Sequence, residues 1–143
     1  MRIVHQTGTS AFAETRAAFA ESGLQGEVLP FISDMPAAFA AADLVVCRSG
    51  AGAVSELAAA AKPSILVPFP FAADDHQTRN AQALERAGAA RLVRDAEMNG
   101  DKLFTLATTL SGELASMGAA ARQFAKPGAA SRAADILEEV ARP

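Results

Sequence analysis

The chain has 143 residues, a formal net charge of −3, half of its residues hydrophobic and a fifth charged. That length suits one domain and is short for two, and the charge balance excludes a disordered polyelectrolyte and gives no support for nucleic-acid binding by bulk positive charge. The apolar share is small-residue: 35 Ala against 8 Phe, with no Tyr, no Trp and a single Cys. This composition favours closely packed helices, offers few aromatic platforms for bases or sugars, and excludes an intramolecular disulfide framework.

Met1-Arg2-Ile3-Val4 enters a strand-like run with no signal-peptide h-region, and no stretch of 18 apolar residues lacks a charge or a breaker. A cytoplasmic domain, a piece of something longer, is the expectation. In chain order, strands are predicted at 2–5, 26–29, 43–47, 64–67 and 90–93. Helices are predicted at 10–21, 35–41, 52–60, 76–87, 100–110, 113–124 and 129–140. Strands of four or five residues alternating with helices of about ten predict a parallel α/β sheet with flanking helices, followed by a helical tail. Leu44-Val45-Val46-Cys47 and Ile65-Leu66-Val67 lack polar alternation, as strands buried on both faces should. Asp34 before Met35-Pro36 is placed to cap a helix, as is Asn99, and Asp74-Asp75 set carboxylates at the positive end of the helix from His76.

The strongest local signal is Val45-Val46-Cys47-Arg48-Ser49-Gly50-Ala51-Gly52-Ala53-Val54-Ser55-Glu56. A buried strand ends, a small-residue loop follows, and a helix begins; ligands of open α/β sheets bind beyond such strand ends. Backbone N–H groups and the helix dipole there suit a phosphate or pyrophosphate. The alternative is a tight turn that needs glycine for its geometry, and spacing alone does not choose. Val54-Ser55 stands where a dinucleotide fingerprint has its third glycine, and the next strand runs into Pro68-Phe69-Pro70 with no acidic residue for an adenosine ribose, which argues against NAD. Glu56, a turn into the helix, is placed either to accept hydrogen bonds from a ribose diol or to sit on the surface as a dipole-favourable charge.

Asp74-Asp75-His76-Gln77-Thr78-Arg79-Asn80 is dense in amide and imidazole groups able to read sugar hydroxyls, and holds too few matched ligands for a metal. His5, in an apolar strand, reads as a satisfied structural histidine, and Cys47 as a small core residue without a base to activate it. Arg48 can support the loop through a carboxylate or approach a phosphate.

Several motifs in order carry a family resemblance: His5-Gln6-Thr7-Gly8, Phe31-Ile32-Ser33-Asp34-Met35, Ala42 to Ala51, Ser55-Glu56-Leu57-Ala58-Ala59, Lys62-Pro63, Val67-Pro68-Phe69-Pro70 and Ala72 to Thr78 with Asn80-Ala81. Over nearly the whole chain they resemble the MurG family, which transfers N-acetylglucosamine from UDP-GlcNAc to the lipid-linked muramoyl-pentapeptide in peptidoglycan synthesis. The resemblance implies the donor-binding, carboxyl-terminal Rossmann-like half of an inverting GT-B glycosyltransferase, without metal or cofactor, peripheral on the cytoplasmic face of the bacterial inner membrane when intact. It implies that Ile32 reads the uracil edge through its backbone. Gly50, Ala51, Gly52, Ala53, Val54, Ser55 and Glu56 form the donor loop and helix, with Glu56 on the ribose diol, and Gln77 reads the GlcNAc hydroxyls beside His76.

Against that pattern the acceptor domain with its catalytic histidine is missing, as is the donor domain's first strand and Gly-Gly-Ser loop. The chain alone is therefore expected to be inactive, and either to self-associate or to be only marginally stable. Ala61 replaces the family's usual Gly before Lys-Pro, straining a helix end that favours a left-handed residue. The rival reading is a non-catalytic binding or signalling module of flavodoxin-like topology; a receiver would need its Asp at the carboxyl end of a central strand, where this chain has Cys47-Arg48.

Overall fold

The computed structural model describes residues 1–142, which fall into two compact units, Met1–Ala38 and Phe39 onward. The first unit holds strand β1 (Arg2–Gln6), helix α1 (Gly8–Glu21) and strand β2 (Gln25–Leu29), and the division falls inside α2 (Met35–Ala41). β1 and β2 pair in parallel, with Arg2 opposite Gln25 and Gln6 opposite Leu29. Gly26 sits at φ +138°, and a Cβ there would lie 1.8 Å from the Ile3 carbonyl oxygen, so only glycine permits this close pairing. Asp34 accepts the Ala37 N–H at 2.9 Å and caps α2 as its position predicts.

The second unit holds β3 (Val45–Cys47), α3 (Ala51–Ala59), β4 (Ser64–Leu66), α4 (His76–Arg86), β5 (Ala90–Leu92), α5 (Gly100–Thr109), α6 (Leu114–Arg122) and α7 (Ala129–Ala141). Its three strands are parallel in the order β3-β4-β5. β4 is buried throughout, and its alternating side chains feed two cores. Leu66 joins Leu57, Ala81, Leu84, Ala89, Ala90 and Ala121, while Ile65 joins Val93, Leu110 and Met117. Each fully buried Leu or Ile side chain contributes about 1.5–3 kcal/mol by removal from water. Small residues let α4 pack closely on β5 and α6 on α3, with Ala81 and Ala121 fully buried. Asn99 Oδ1 accepts the Lys102 N–H at 2.8 Å and starts α5. No helix among the described residues is long and apolar enough to cross a membrane.

Three expectations are corrected. His5 is exposed, because β1 belongs to a two-stranded sheet with only one helix of its own unit following it, too little chain to bury both faces. The strand predicted from Asp43 begins at Val45, and it lies at the edge of its sheet: Val46 is 43% exposed, so burial on both faces holds for β4 and fails for β3. Asp74 and Asp75 precede α4 but make no side-chain cap; both adopt left-handed backbone, at φ +49° and +52°, in a 3₁₀ turn over Ala73–Asp75.

Candidate functional site

The carboxyl ends of β3 and β4 and the loop after β5 carry the polar cluster of the second unit. Ser49 follows β3 and is fully buried; its hydroxyl donates to the Gln77 carbonyl at 2.9 Å, and the Asn80 amide donates to the Ser49 carbonyl at 3.0 Å. This pair of bonds fastens the loop before α3 to the first turns of α4. A buried hydroxyl without partners would destabilise the fold, so its neighbours supply them.

Gly50 is the N-cap of α3, with ordinary extended backbone (φ −62°, ψ 156°). The first N–H to bond back is that of Val54, to the Gly50 carbonyl at 3.0 Å, leaving the N–H groups of Ala51, Gly52 and Ala53 without intrahelical acceptors. No side chain caps this end and no acidic residue occupies the first turn. A Cβ added at Gly50 or Gly52 would meet nothing within 4 Å. The reading in which the turn itself demands glycine therefore fails: neither position has positive φ, and what the missing side chains leave is open space over a positive helix end.

Ser55 and Glu56 are exposed, one turn along. Burial, aided by the nearby Glu56 carboxylate, pushes the Cys47 thiol up to about 11, so at neutral pH it is an inert core group, as its sequence setting suggests.

The β4–α4 loop is held from both sides. Gln77 Oε1 accepts the Phe69 N–H at 3.0 Å; a backbone N–H can only donate, so the facing atom is the oxygen, and the amide's NH₂ is left without a partner among the described residues. His76 Nδ1 lies 2.7 Å from the Ala73 carbonyl, an oxygen that only accepts, so Nδ1 donates there and Nε2 is the ring nitrogen left for a ligand. Arg48 resolves the choice left open by its sequence position. Its Nη1 donates to the Val67 and Pro68 carbonyls at 3.2 and 3.1 Å and pairs with Asp95 at 2.6 Å, and its guanidinium carbon Cζ lies over the Phe69 ring at 5.7 Å.

The structure thus brings Gly50 to Glu56 together with Gln77, through Ser49 and Asn80. Ile32 belongs to the first unit, where its N–H donates to Gln6 Oε1 at 2.8 Å. Asn80, counted among the sugar-reading amides, is spent on the Ser49 carbonyl. Sequence reasoning missed the Arg48–Asp95 pair and the clasp on Phe69; the one available signal was an arginine and an aspartate each just past the end of a strand in one parallel sheet. Among the described residues no group of three or more His, Cys, Asp or Glu side chains is placed to hold a metal.

A parallel α/β sheet with an uncapped, glycine-flanked helix N-terminus beyond its strand ends defines an anion-receptive α/β domain of nucleotide-binding type. The chain belongs to the glycosyltransferase family 28 C-terminal domain, whose family model matches residues 1–140. It is 80% identical over all 143 residues to the UDP-N-acetylglucosamine–N-acetylmuramyl-(pentapeptide) pyrophosphoryl-undecaprenol N-acetylglucosamine transferase of Solibacter usitatus, covering 40% of that protein. Over 140 residues it is 48% identical to the enzyme of the same name from Aromatoleum aromaticum, covering 97% of this chain and 39% of that one. Its fold superposes on a crystal structure of Acinetobacter baumannii MurG with a TM-score of 0.88 and 40% identity, over 96% of this chain and 43% of that chain. The chain thus spans about two fifths of the length of these curated relatives. The expected Rossmann-like fold and its GT-B affiliation are borne out.

Proposed function

We propose that this chain is the donor-binding part of an inverting glycosyltransferase that moves N-acetylglucosamine from UDP-GlcNAc to a lipid-linked muramoyl-pentapeptide. The observation that carries the reading is the bare N-terminus of α3, with three unpaired N–H groups under open space at Gly50 and Gly52. The names of the relatives supply the substrate class.

In this reading the diphosphate lies against the N–H groups of Ala51, Gly52 and Ala53. Glu56 accepts hydrogen bonds from the ribose diol, and the Gln77 NH₂ and His76 Nε2 meet sugar hydroxyls. An acceptor hydroxyl attacks the anomeric carbon, its proton passing to a base outside this chain, while the bond to the β-phosphate breaks and UDP departs. Negative charge then grows on the β-phosphate, and oriented N–H dipoles stabilise that charge without reorganising. Positioning of the acceptor and its base is the work of a second domain, and their combined effect amounts to many orders of magnitude in rate. The complete enzyme works at the cytoplasmic face of the membrane that holds its lipid acceptor.

The test is a titration followed by amide NMR with UDP-GlcNAc, using ADP and NAD as controls. Shifts centred on Gly50–Glu56, His76 and Gln77 with the uridine ligand support the reading. Equal responses to all three ligands, or none at α3, overturn it.

A further inference from the structure

We propose that Arg48 is a positioning residue for the donor's sugar, acting at a distance through the loop that orients Gln77. The proposal rests on the donor-binding reading above and extends it to a residue that touches no part of the ligand in that reading.

The guanidinium is half exposed and is tied to the protein through Nη1. It serves the carbonyls of Val67 and Pro68, faces the Asp95 carboxylate and covers the Phe69 ring. Those contacts fix the chain direction where β4 has ended and Pro68-Phe69-Pro70 begins, a stretch without ladder hydrogen bonds of its own. At Phe69 the clasp meets a second one, the Gln77 Oε1 that accepts the Phe69 N–H. An amide side chain can present either its oxygen or its NH₂ to a ligand, and a sugar hydroxyl accepts either. Here the choice is made by the backbone: with Phe69 N–H held in place, Gln77 gives its oxygen to that N–H and keeps its NH₂ for a ligand. Arg48 and Gln77 thus hold one peptide group from opposite sides.

Arginine suits this work better than lysine. Nη1 meets two carbonyls and a carboxylate while the planar group lies over the Phe69 ring, an arrangement suited to a flat, weakly hydrated cation, where an ammonium offers a compact, strongly hydrated point charge. Asp95, on the loop after β5, holds Nη1 toward that loop at 2.6 Å.

The experiment uses the 143-residue chain with Arg48→Met, Arg48→Lys, Gln77→Ala and the double variant Arg48→Met/Gln77→Ala. Two readouts are taken: amide hydrogen exchange with side-chain amide NMR in the free protein, and affinities for UDP-GlcNAc and for UDP. In Arg48→Met, exchange at Phe69 N–H should accelerate at least tenfold and the Gln77 NH₂ signals should shift, while Ile65 and Leu66 in β4 keep their protection. The preference for UDP-GlcNAc over UDP should fall at least fivefold, with UDP affinity within twofold of wild type. Gln77→Ala should cause the same loss, and the double variant no further loss. Arg48→Lys should retain stability through Asp95 and still lose the Phe69 protection. Unchanged Phe69 exchange and Gln77 signals in Arg48→Met would overturn the proposal, as would additive losses in the double variant. If the wild-type chain binds neither ligand, the donor-binding reading fails instead, and the free-protein exchange still decides whether Arg48 orients Gln77.

Discussion

Replacing Ala61 by glycine should stabilise the protein. Helix α3 ends in a Schellman arrangement: Lys62 N–H donates to the Leu57 carbonyl at 2.9 Å and Ala61 N–H to the Ala58 carbonyl at 3.1 Å. The geometry requires left-handed backbone at residue 61, and Ala61 has φ +53°. Helix α4 ends the same way, with Ala89 N–H to the Leu84 carbonyl at 2.9 Å, but there the left-handed residue is Gly88, at φ +76°. The left-handed region costs an L-residue about 1–2 kcal/mol. Glycine removes that cost and loses about 0.4–1 kcal/mol through its freer unfolded state. Ala61→Gly should therefore gain about 0.5–1 kcal/mol, a rise of about 2–4 °C in Tm for a chain of this size. Urea unfolding should show a higher midpoint at unchanged slope. The neighbouring Gly118 gives the opposite sign: a Cβ there would lie 2.7 Å from the Ala61 carbonyl oxygen, so Gly118→Ala should lose about 1–3 kcal/mol. A lower midpoint for Ala61→Gly would mean that residue 61 is not left-handed in solution, and the account of this helix end would be wrong.

Ser64 is fully buried and its hydroxyl has no hydrogen-bond partner among the described residues, so Ser64→Ala should raise stability by about 1 kcal/mol in the same urea assay. The Cys47 thiol, pushed up from 9.0 to about 11, holds roughly a hundredfold less thiolate below pH 8 than an ordinary cysteine, so alkylation should be correspondingly slow and recover as pH rises toward 11. Glu56→Gln should speed that alkylation, because the carboxylate adds to the upward shift. Glu56→Ala should weaken UDP several-fold more than 2′-deoxy-UDP in calorimetric titrations, and equal losses would remove Glu56 from the ribose. Gly50→Val, with ordinary backbone angles and free space around its Cβ, should cost less than about 1 kcal/mol of stability yet weaken UDP binding at least tenfold.

What the sequence by itself determined is local. All five strands and seven helices stand where the alternation of apolar runs with helical stretches places them, with ends displaced by one or two residues. The caps at Asp34 and Asn99 were legible because each needs only a side-chain oxygen three residues before the N–H that it accepts. The strain at Ala61 was legible through the family resemblance, which sets a glycine before Lys-Pro where this chain has Ala61, at a helix end that favours left-handed backbone.

The tertiary structure alone decided matters that depend on neighbours distant in the chain. Val45 and Val46 read as a strand buried on both faces, like Ile65 and Leu66, yet β3 lies at its sheet's edge and β4 at its centre; strand order, which no local pattern encodes, separates them. Arg48 stood equally well near a phosphate or a carboxylate until the loop after β5 placed Asp95 beside it. Gln77 and Asn80 are chemically equivalent amides three residues apart. One is spent on the Ser49 carbonyl and the other has its oxygen held by the Phe69 N–H, because a hydrogen bond's partner is set by three-dimensional proximity and not by residue type. Residue type supplies the capacity for chemistry at this site, and packing determines which atoms remain free to use it.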